Sequence, residues 1–329
     1  MNKKELADLL IKDNYTAWKK LLESKKEIKE QLEKLMQPFE ERGAIMNLVD
    51  PISVKLLNLI RKGFEQDFEF EEIKLYATPE YDDEQRKCIY DGVKANLDYE
   101  EIKVYADPKF TYGQMIEIFD GLTNSEIEIV KKWANPRYTE EQMIEIKAAF
   151  EEEPASTDVI IEFADGGFTA EQLSEIYAGL KHGLSYDKVK LYANIKYTAE
   201  QMEYIRRGFE EGFTDEQIAV YASSELEASQ MSAIFDAIIS GISLDEIKLF
   251  AKPKYSGYVM EKIYTLIKEY RVDVNLINLC ISSAEAVTNV YIDMVIDDVR
   301  RLNFSQLVEK YDVPEELINA MQEDILNLL

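Results

Sequence analysis

The chain has 329 residues, of which 46% are hydrophobic, and a net charge of −26 from 64 acidic and 38 basic side chains. This hydrophobic content is enough for a sizeable core and excludes a disordered acidic tail, while 8 prolines and 13 glycines are too few for a turn-rich all-β fold. The acidic balance argues against direct binding of nucleic acid or of an anionic membrane, and two cysteines in this length suit a reducing cytoplasm.

Residues 1–50 predict an N-terminal helical cap. Leu22, Ile28, Leu32 and Leu35 recur at helical spacing along a helix predicted over residues 15–41. We expect this helix to close the end of the domain that follows, and a separate binding role for it is the alternative. Acidic residues in the first eight positions exclude a signal-peptide core, and no apolar run approaches the ~18 residues of a membrane span.

Residues 51–271 contain an internal repeat of about 29 residues. Each repeat has an aromatic residue followed by alanine, and these aromatic residues are Tyr76, Tyr105, Trp133, Phe163, Tyr192, Tyr221 and Phe250. A second position is always isoleucine: Ile89, Ile118, Ile146, Ile176, Ile205, Ile234 and Ile263. Because one repeat cannot bury its apolar stripe alone, we predict an all-α fold, an α-solenoid of stacked two-helix repeats with helical caps at both ends.

One repeat shows why the unit should be two helices. Thr198 with Gln201, and Thr214 with Gln217, have the spacing of a capping box, in which each side chain satisfies a free backbone N–H. Gly212 is predicted to end the longer helix in a left-handed conformation. The equivalent stops are Asp67, Asn96, Gly183 and Gly241, and further boxes are Thr111/Gln114, Thr139/Gln142, Thr169/Gln172 and Ser243/Glu246.

A glycine also recurs inside the longer helix, where it costs roughly 1 kcal/mol against alanine. It is present as Gly63, Gly92, Gly121, Gly179 and Gly208, and alanine replaces it as Ala149 and Ala237. Its recurrence on the apolar side predicts that the backbone of a neighbouring helix approaches closely. A flexible hinge is the less favoured interpretation, since alanine would not replace a hinge.

Residues 272–329 lose the repeat and predict a C-terminal helical cap, with helices over residues 284–302 and 314–329. The segment 304–317 faintly resembles the first half of a helix-turn-helix. The helix that would have to read DNA, over residues 314–329, contains no lysine or arginine, so we do not expect DNA recognition.

Motifs for catalysis or metal binding are missing from the sequence, which has no CxxC, HExxH, P-loop or nucleophile elbow. The single histidine, His182, lies in a predicted turn, and Cys88 and Cys280 lie among apolar residues as packed small side chains. The acidic runs at 82–84 and 151–153 lack the alternating oxygen ligands of an EF-hand. We therefore expect no enzyme, no metal site and no cofactor.

The pattern Tyr-Thr-x-Glu-Gln-Met-x-x-Ile-Arg-x-Gly-Phe-Glu-x-Gly-Phe at 197–213 resembles a repeat of uncharacterised helical proteins from phages and conjugative elements of low-GC Gram-positive bacteria. The aromatic-Ala-x-Pro-x-aromatic junctions at 105–110 and 250–255 add to the resemblance. The resemblance implies a mobile-element setting and a binding role, and it carries no catalytic residues.

The excess negative charge belongs to the repeats, because residues 1–50 hold equal numbers of acidic and basic side chains. Lysine recurs two positions before the aromatic residue, at Lys74, Lys103, Lys131, Lys190 and Lys248, and we expect these lysines to pair with neighbouring acids. Acids predicted to lie off the apolar stripe of the longer helices are the candidate partner-binding residues: Glu117, Glu145, Glu175, Glu203, Glu210 and Glu211. The first three share one repeat position and would form a row.

An acidic surface of this kind attracts basic proteins. We therefore expect a protein of a mobile element that binds a basic, nucleic-acid-handling host protein and inhibits it, in the manner of an anti-CRISPR protein acting on a defence nuclease. The alternative is a general protein-interaction scaffold whose acidity serves solubility.

Overall fold

The computed structural model describes residues 28–46, 53–270, 277, 289–302 and 304–311, and within these residues it contains helices and no β-strand. The predicted all-α class is therefore confirmed. The chain divides into two compact units, Met1–Ala164 and Asp165–Leu329.

The first unit begins with one long helix and continues with pairs of a longer and a shorter helix. Its helices are α1 (Ile28–Met46), α2 (Val54–Glu65), α3 (Phe70–Tyr76), α4 (Asp83–Lys94), α5 (Tyr99–Tyr105), α6 (Tyr112–Asn124), α7 (Ile127–Trp133), α8 (Glu140–Glu152) and α9 (Thr157–Asp165). A 3₁₀ turn, Pro154–Ser156, joins the last two. The longer helices α2, α4, α6 and α8 pack on one another in chain order.

The second unit repeats this alternation. Its helices are α10 (Ala170–Lys181), α11 (Tyr186–Tyr192), α12 (Ala199–Glu210), α13 (Asp215–Ala219), α14 (Ala228–Ile239), α15 (Leu244–Phe250), α16 (Gly257–Tyr270), α17 (Asn289–Arg301) and α18 (Phe304–Lys310). The longer helices α10, α12, α14 and α16 again pack in chain order, and α17 packs on α16.

The predicted terminal helices are found in part. Helix α1 buries Ile28, Leu32 and Leu35, as its apolar spacing predicts, but it continues to Met46 rather than ending at residue 41. Helix α17 lies within the helix predicted over residues 284–302, and α18 lies within the segment 304–317 that resembles the first half of a helix-turn-helix. The part of the N-terminal helix before residue 28, including Leu22, and the helix predicted over 314–329 lie outside the described residues.

Local sequence signals start and stop the helices as predicted. Thr198 accepts the backbone N–H of Gln201, whose side chain accepts that of Thr198, and every other predicted box is formed. The predicted stops are left-handed, with φ of 60° at Asp67 and Asn96 and of 84°, 78° and 79° at Gly183, Gly212 and Gly241. Further boxes begin with an acid in place of Ser or Thr: Glu69/Glu72, Asp82/Gln85, Asp98/Glu101 and Glu227/Gln230.

The repeated apolar residues form the core. All seven repeat isoleucines are at most 1% exposed, and Tyr76, Tyr105, Tyr192, Tyr221 and Phe250 are fully buried. Burial of each such side chain contributes about 1.5–3 kcal/mol to folding. The aromatic residue of each shorter helix therefore anchors that helix to the longer helix before it.

The prediction that a neighbouring backbone approaches the helix glycines is wrong, although the close packing is real. A Cβ on Gly63, Gly179 or Gly208 would collide with the hydroxyl oxygen of the tyrosine in the same repeat's shorter helix. These hydroxyls donate to the carbonyl four residues before the glycine: Tyr76 to Leu59 (3.3 Å), Tyr192 to Glu175 (3.1 Å) and Tyr221 to Tyr204 (3.1 Å). The glycine makes room for that hydrogen bond.

Buried glutamines connect consecutive repeats. Gln201 accepts the backbone N–H of Thr198 through Oε1, and its Nε2 donates to the carbonyl of Leu226 in the next repeat, 2.5 Å away. Gln85, Gln114, Gln172 and Gln230 make the same inter-repeat bond, to Phe110, Tyr138, Tyr197 and Tyr255. One side chain thus caps its own helix and satisfies a buried carbonyl of its neighbour.

Candidate functional site

Two of the acids predicted to be exposed are instead used inside the fold. Glu117 is 15% exposed and forms an ion pair with Lys147, which also bonds Asp120. Glu175 is 21% exposed and lies 2.8 Å from Nε of Arg206. Lys147 and Arg206 each follow the repeat isoleucine of the next longer helix. The expectation that Glu117 and Glu175 are free surface acids is therefore wrong, because the next repeat supplies a cation to each.

Glu210 belongs to the same cluster as Glu175. Its Oε1 lies 2.6 Å from Nη1 of Arg206 and 2.9 Å from Nδ1 of His182. Partial burial works against ionisation, but the hydrogen bonds from Arg206 and His182 outweigh it and hold the pKa of the Glu210 carboxyl below its ordinary value. The single histidine of the chain thus caps α10 and contacts an acid of the next repeat.

The remaining predicted acids are more accessible. Glu203 is 40% exposed and lies 3.6 Å from Arg207 of the same helix, and Glu211 is exposed at the end of α12. Glu145 is half-buried. Glu117 and Glu145 lie in the first unit, and Glu175 lies in the second.

A different acidic position is exposed in every repeat. The second residue of each shorter helix from α3 to α15 is acidic, five positions before the repeat's aromatic residue. These column acids are Glu71, Glu100, Glu128, Asp158, Asp187, Glu216 and Asp245, and all seven are exposed. The sequence has an acid at this position in all seven repeats. It does not distinguish these acids from the other acids in the first turns of helices, which are explained by the helix dipole.

Lysines of the shorter helices accompany the column acids. Lys74, Lys103 and Lys131 lie 3.4, 3.2 and 2.7 Å from the column acid three residues earlier, so the predicted pairing of the lysine column holds there. These pairs are exposed, and such pairs contribute little, about 0–1 kcal/mol. The carboxylates therefore remain available to a competing cation.

Lys248 makes a contact that spans two repeats. Its Nζ lies 3.2 Å from Oε1 of Glu216 and 3.8 Å from Oδ1 of Asp245. Lys132 likewise lies 2.9 Å from the column acid Asp158, 26 residues further along the chain. A single ammonium group can thus sit between column acids of successive repeats.

A groove of about 220 Å³ runs between the shorter helices α5 and α7 of the first unit. It is lined by Glu100, Lys103, Val104, Lys131 and Ala134. A long cationic side chain could lay its methylene groups on Val104 and Ala134 while its charge reaches Glu100.

Cys88 is the free cysteine in the part of the chain that the structure describes. Burial raises the pKa of the Cys88 thiol to about 12, so this cysteine is not a thiolate near neutral pH. Within the described ranges, no three His, Cys, Asp or Glu side chains converge as metal ligands. None of the helices described is both long and apolar enough to cross a bilayer. Cys280 lies outside the described residues.

Comparisons of this chain with models of protein families, with curated proteins and with solved structures found no match.

Proposed function

We propose that this chain is a non-catalytic binding protein whose repeats form an α-solenoid with helical caps at both ends, and whose column acids engage a basic partner. The packing of consecutive longer helices within each unit supports the solenoid. The shorter helices then present one acid per repeat on the surface. Glu203 and Glu211 remain accessible beside this column in the second unit.

The observation that carries the proposal is the position of Lys248. Its ammonium group contacts Glu216 of one repeat and Asp245 of the next, which is the contact that a partner's lysine or arginine would make. The column acid Glu100 offers a similar carboxylate, and it has a groove beside it. An arginine of the partner could also donate to two carboxylate oxygens at once, which strengthens the pair.

The partner class follows from charge. A net charge of −26 repels nucleic acid and anionic lipid at long range and speeds encounter with basic proteins. Proteins that handle nucleic acid carry basic grooves. Together with the resemblance to repeat proteins of phages and conjugative elements, this supports a mobile-element protein that acts in the cytoplasm and blocks such a groove on a host defence nuclease.

A general scaffold is the second candidate, and one observation favours it. Glu71, Glu100 and Glu128 sit near helix N-termini and pair with lysines of their own helices. Acids at this position stabilise a helix by about 0.3–1 kcal/mol. The column would then serve helix stability and solubility, and partners would bind elsewhere.

Salt-resolved affinity capture tests the proposal. A column variant would carry Glu71→Gln, Glu100→Gln, Glu128→Gln and Asp158→Asn. A matched control removes four other exposed acids of the first unit: Glu33→Gln, Glu84→Gln, Glu141→Gln and Glu151→Gln. We expect basic proteins to be retained at low salt by the wild type and by the control, and lost from the column variant. Equal retention by all three chains would favour the scaffold.

A further inference from the structure

The fifth repeat carries a surface that departs from the other repeats and has the opposite charge. Lys188, Lys190 and Lys196 are exposed on α11 and on the turn that follows it. In the part of the second unit that the structure describes, none of the three lies within ion-pair distance of a carboxylate. By contrast, the lysines equivalent to Lys190 in α3, α5, α7 and α15 pair with the acid three residues earlier.

Two large apolar side chains lie among these lysines. Leu191 is 64% exposed and Ile195 is 60% exposed, the highest values among the exposed large apolar side chains. Leu191 follows Lys188 by three positions, so the two share one side of α11. Ile195 lies four residues beyond Leu191, in the turn after the helix. The basic–apolar patch is therefore Lys188, Lys190, Leu191, Ile195 and Lys196.

Residue 188 is lysine at a cost to its own helix. It is the third residue of α11, where α3, α5 and α15 have Glu72, Glu101 and Glu246 reaching back to the N-cap N–H. Lys188 cannot accept that hydrogen bond, and α11 lacks the reciprocal box. The ammonium group of Lys188 lies over the Phe209 ring, 5.6 Å from its centroid, a contact that leaves its N–H donors to a partner.

Residue 195 departs from the repeat in the same way. The equivalent positions are Pro79, Pro108, Pro136 and Pro253 in four other repeats. Proline restricts the unfolded chain and suits this turn, whereas Ile195 adds an apolar side chain that is mostly in contact with water. The packing of the repeat does not require it.

We propose that this patch is a docking surface for an acidic protein segment with apolar anchor residues, distinct from the column acids and independent of their role. Lys188 and Lys190 lie over the rings of Phe209 and Tyr186, but among the described residues none of the three ammonium groups has a carboxylate partner. Together with two exposed aliphatic side chains, they are complementary to carboxylates that flank leucine or isoleucine. Nucleic acid fits less well, because it is a long polyanion and the net charge of this chain is −26. Phosphates beyond the patch would be repelled by the acidic surface around it, whereas a short protein segment would contact only the patch.

A second copy of the chain also fits less well. Each copy carries a net charge of −26, so two copies repel each other at long range. The occupant is therefore a segment of another protein.

Restoring the repeat residues gives a sharp test. The variant Lys188→Glu with Ile195→Pro replaces both departures with the residues of other repeats, and the new glutamate can complete the capping box of α11. We expect its melting temperature to be at least that of the wild type, so that a loss of binding cannot be ascribed to unfolding. Lys254→Glu, which removes an exposed cation at the position equivalent to Lys196 in the seventh repeat, is the matched control.

The probe is a displayed library of random peptides selected on the full wild-type chain, followed by fluorescence anisotropy with the best synthetic peptide. We expect enriched peptides to combine acidic and aliphatic residues, and to bind the Lys188→Glu, Ile195→Pro variant at least about tenfold more weakly than the wild type. The Lys254→Glu variant should bind like the wild type. Enrichment of basic peptides, no enrichment at all, or equal binding to the double variant would overturn the proposal.

Two further arms separate other occupants of the patch. Single-stranded oligothymidine and phosphatidylserine vesicles should bind neither the wild type nor the double variant at physiological salt. Sedimentation should show the same oligomeric state for both chains. Binding of either polyanion through the patch, or self-association lost in the double variant, would contradict the assignment to an acidic protein segment.

Discussion

The hydroxyl of Tyr221 fills the space that a Cβ on Gly208 would need, and it donates to the carbonyl of Tyr204 on the same longer helix. Repeats without a tyrosine at this position show what happens to the glycine when the hydroxyl is absent. In the fourth and seventh repeats the aromatic residue is phenylalanine, Phe163 or Phe250, and there the glycine is alanine. Without a hydroxyl, the ring leaves room for a methyl group. Glycine thus goes with tyrosine in four repeats, and in the third repeat Gly121 goes with the large ring of Trp133, which a Cβ would also meet.

This coupling predicts a double-mutant cycle. Gly208→Ala should destabilise the chain, because the methyl group displaces the Tyr221 hydroxyl from its carbonyl. Adding Tyr221→Phe should recover most of the loss, since the pair then matches Ala237 and Phe250. We expect a coupling free energy of about 1–3 kcal/mol from chemical denaturation. Additive effects of the two substitutions would show that the hydroxyl is not the obstacle.

The left-handed backbone conformation of Gly212, after α12, predicts that substitutions there lower stability through backbone strain and not through side-chain contacts. A Cβ at Gly212 would meet nothing within 4 Å, but its φ is 78°. Gly212→Leu should therefore cost about 1–2 kcal/mol through its backbone alone, and Gly212→Asn should cost clearly less, as Asn96 holds the same conformation in another repeat. Thermal denaturation of both variants measures the difference. Equal losses would mean that side-chain contacts decide this site.

The double role of Gln201 predicts a difference between two chemically identical changes. Gln201→Glu keeps the cap but removes the donor to Leu226 and places a carboxylate against that carbonyl. It should cost about 1–3 kcal/mol, the range for leaving a buried polar group unsatisfied. Gln217→Glu is the control, because Gln217 also caps its helix but has no inter-repeat bond among those described. Comparable unfolding free energies for both variants would rule out the inter-repeat role.

The cluster of Arg206, Glu175 and Glu210 predicts an acid-sensitive contribution to stability. The native pKa of the Glu210 carboxyl is below its ordinary value of 4.5, so its contribution is complete above that value and is lost as the pH falls through the lowered native pKa. Glu210→Gln should flatten the decline of the unfolding free energy between about pH 5 and pH 3. Glu211→Gln, which removes an exposed carboxylate outside the cluster, is the control for the loss of one charge. An unchanged slope in Glu210→Gln would refute the contribution.

The local features of this fold were predictable from sequence, and its contacts between repeats were not. Thr198, Gln201 and Gly212 lie within 15 residues of one another and act on their own helices, so spacing alone identifies their roles. The second bond of Gln201 and the pair of Glu117 with Lys147 join residues 25 and 30 positions apart. These two contacts depend on how the helices of one repeat are shifted relative to those of the next repeat. The period of the sequence does not determine that shift.

The sequence places the excess acid in the repeats, but it does not identify which of these acids are exposed. Glu117 and Glu175 are expected to be exposed because they lie off the apolar stripe of their own helices, but the structure buries most of each side chain. That surface is covered by the next longer helix. The column acids lie on shorter helices, where nothing among the described residues covers them. In the repeat where the aromatic residue is Phe163, the glycine is replaced by Ala149. Because phenylalanine differs from tyrosine only by the hydroxyl, this pair in the sequence already points to the tyrosine hydroxyl as the reason for glycine.

The most direct test of the proposed function is the salt dependence of affinity for a captured basic partner, measured by isothermal titration calorimetry at several ionic strengths. The wild type and the control lacking Glu33, Glu84, Glu141 and Glu151 should bind with similar affinity and lose it steeply as salt is added. The variant lacking the carboxylates of Glu71, Glu100, Glu128 and Asp158 should bind at least about tenfold more weakly, with a shallower salt dependence. Equal affinities and equal salt slopes for the column variant and the wild type would contradict the role of the column acids.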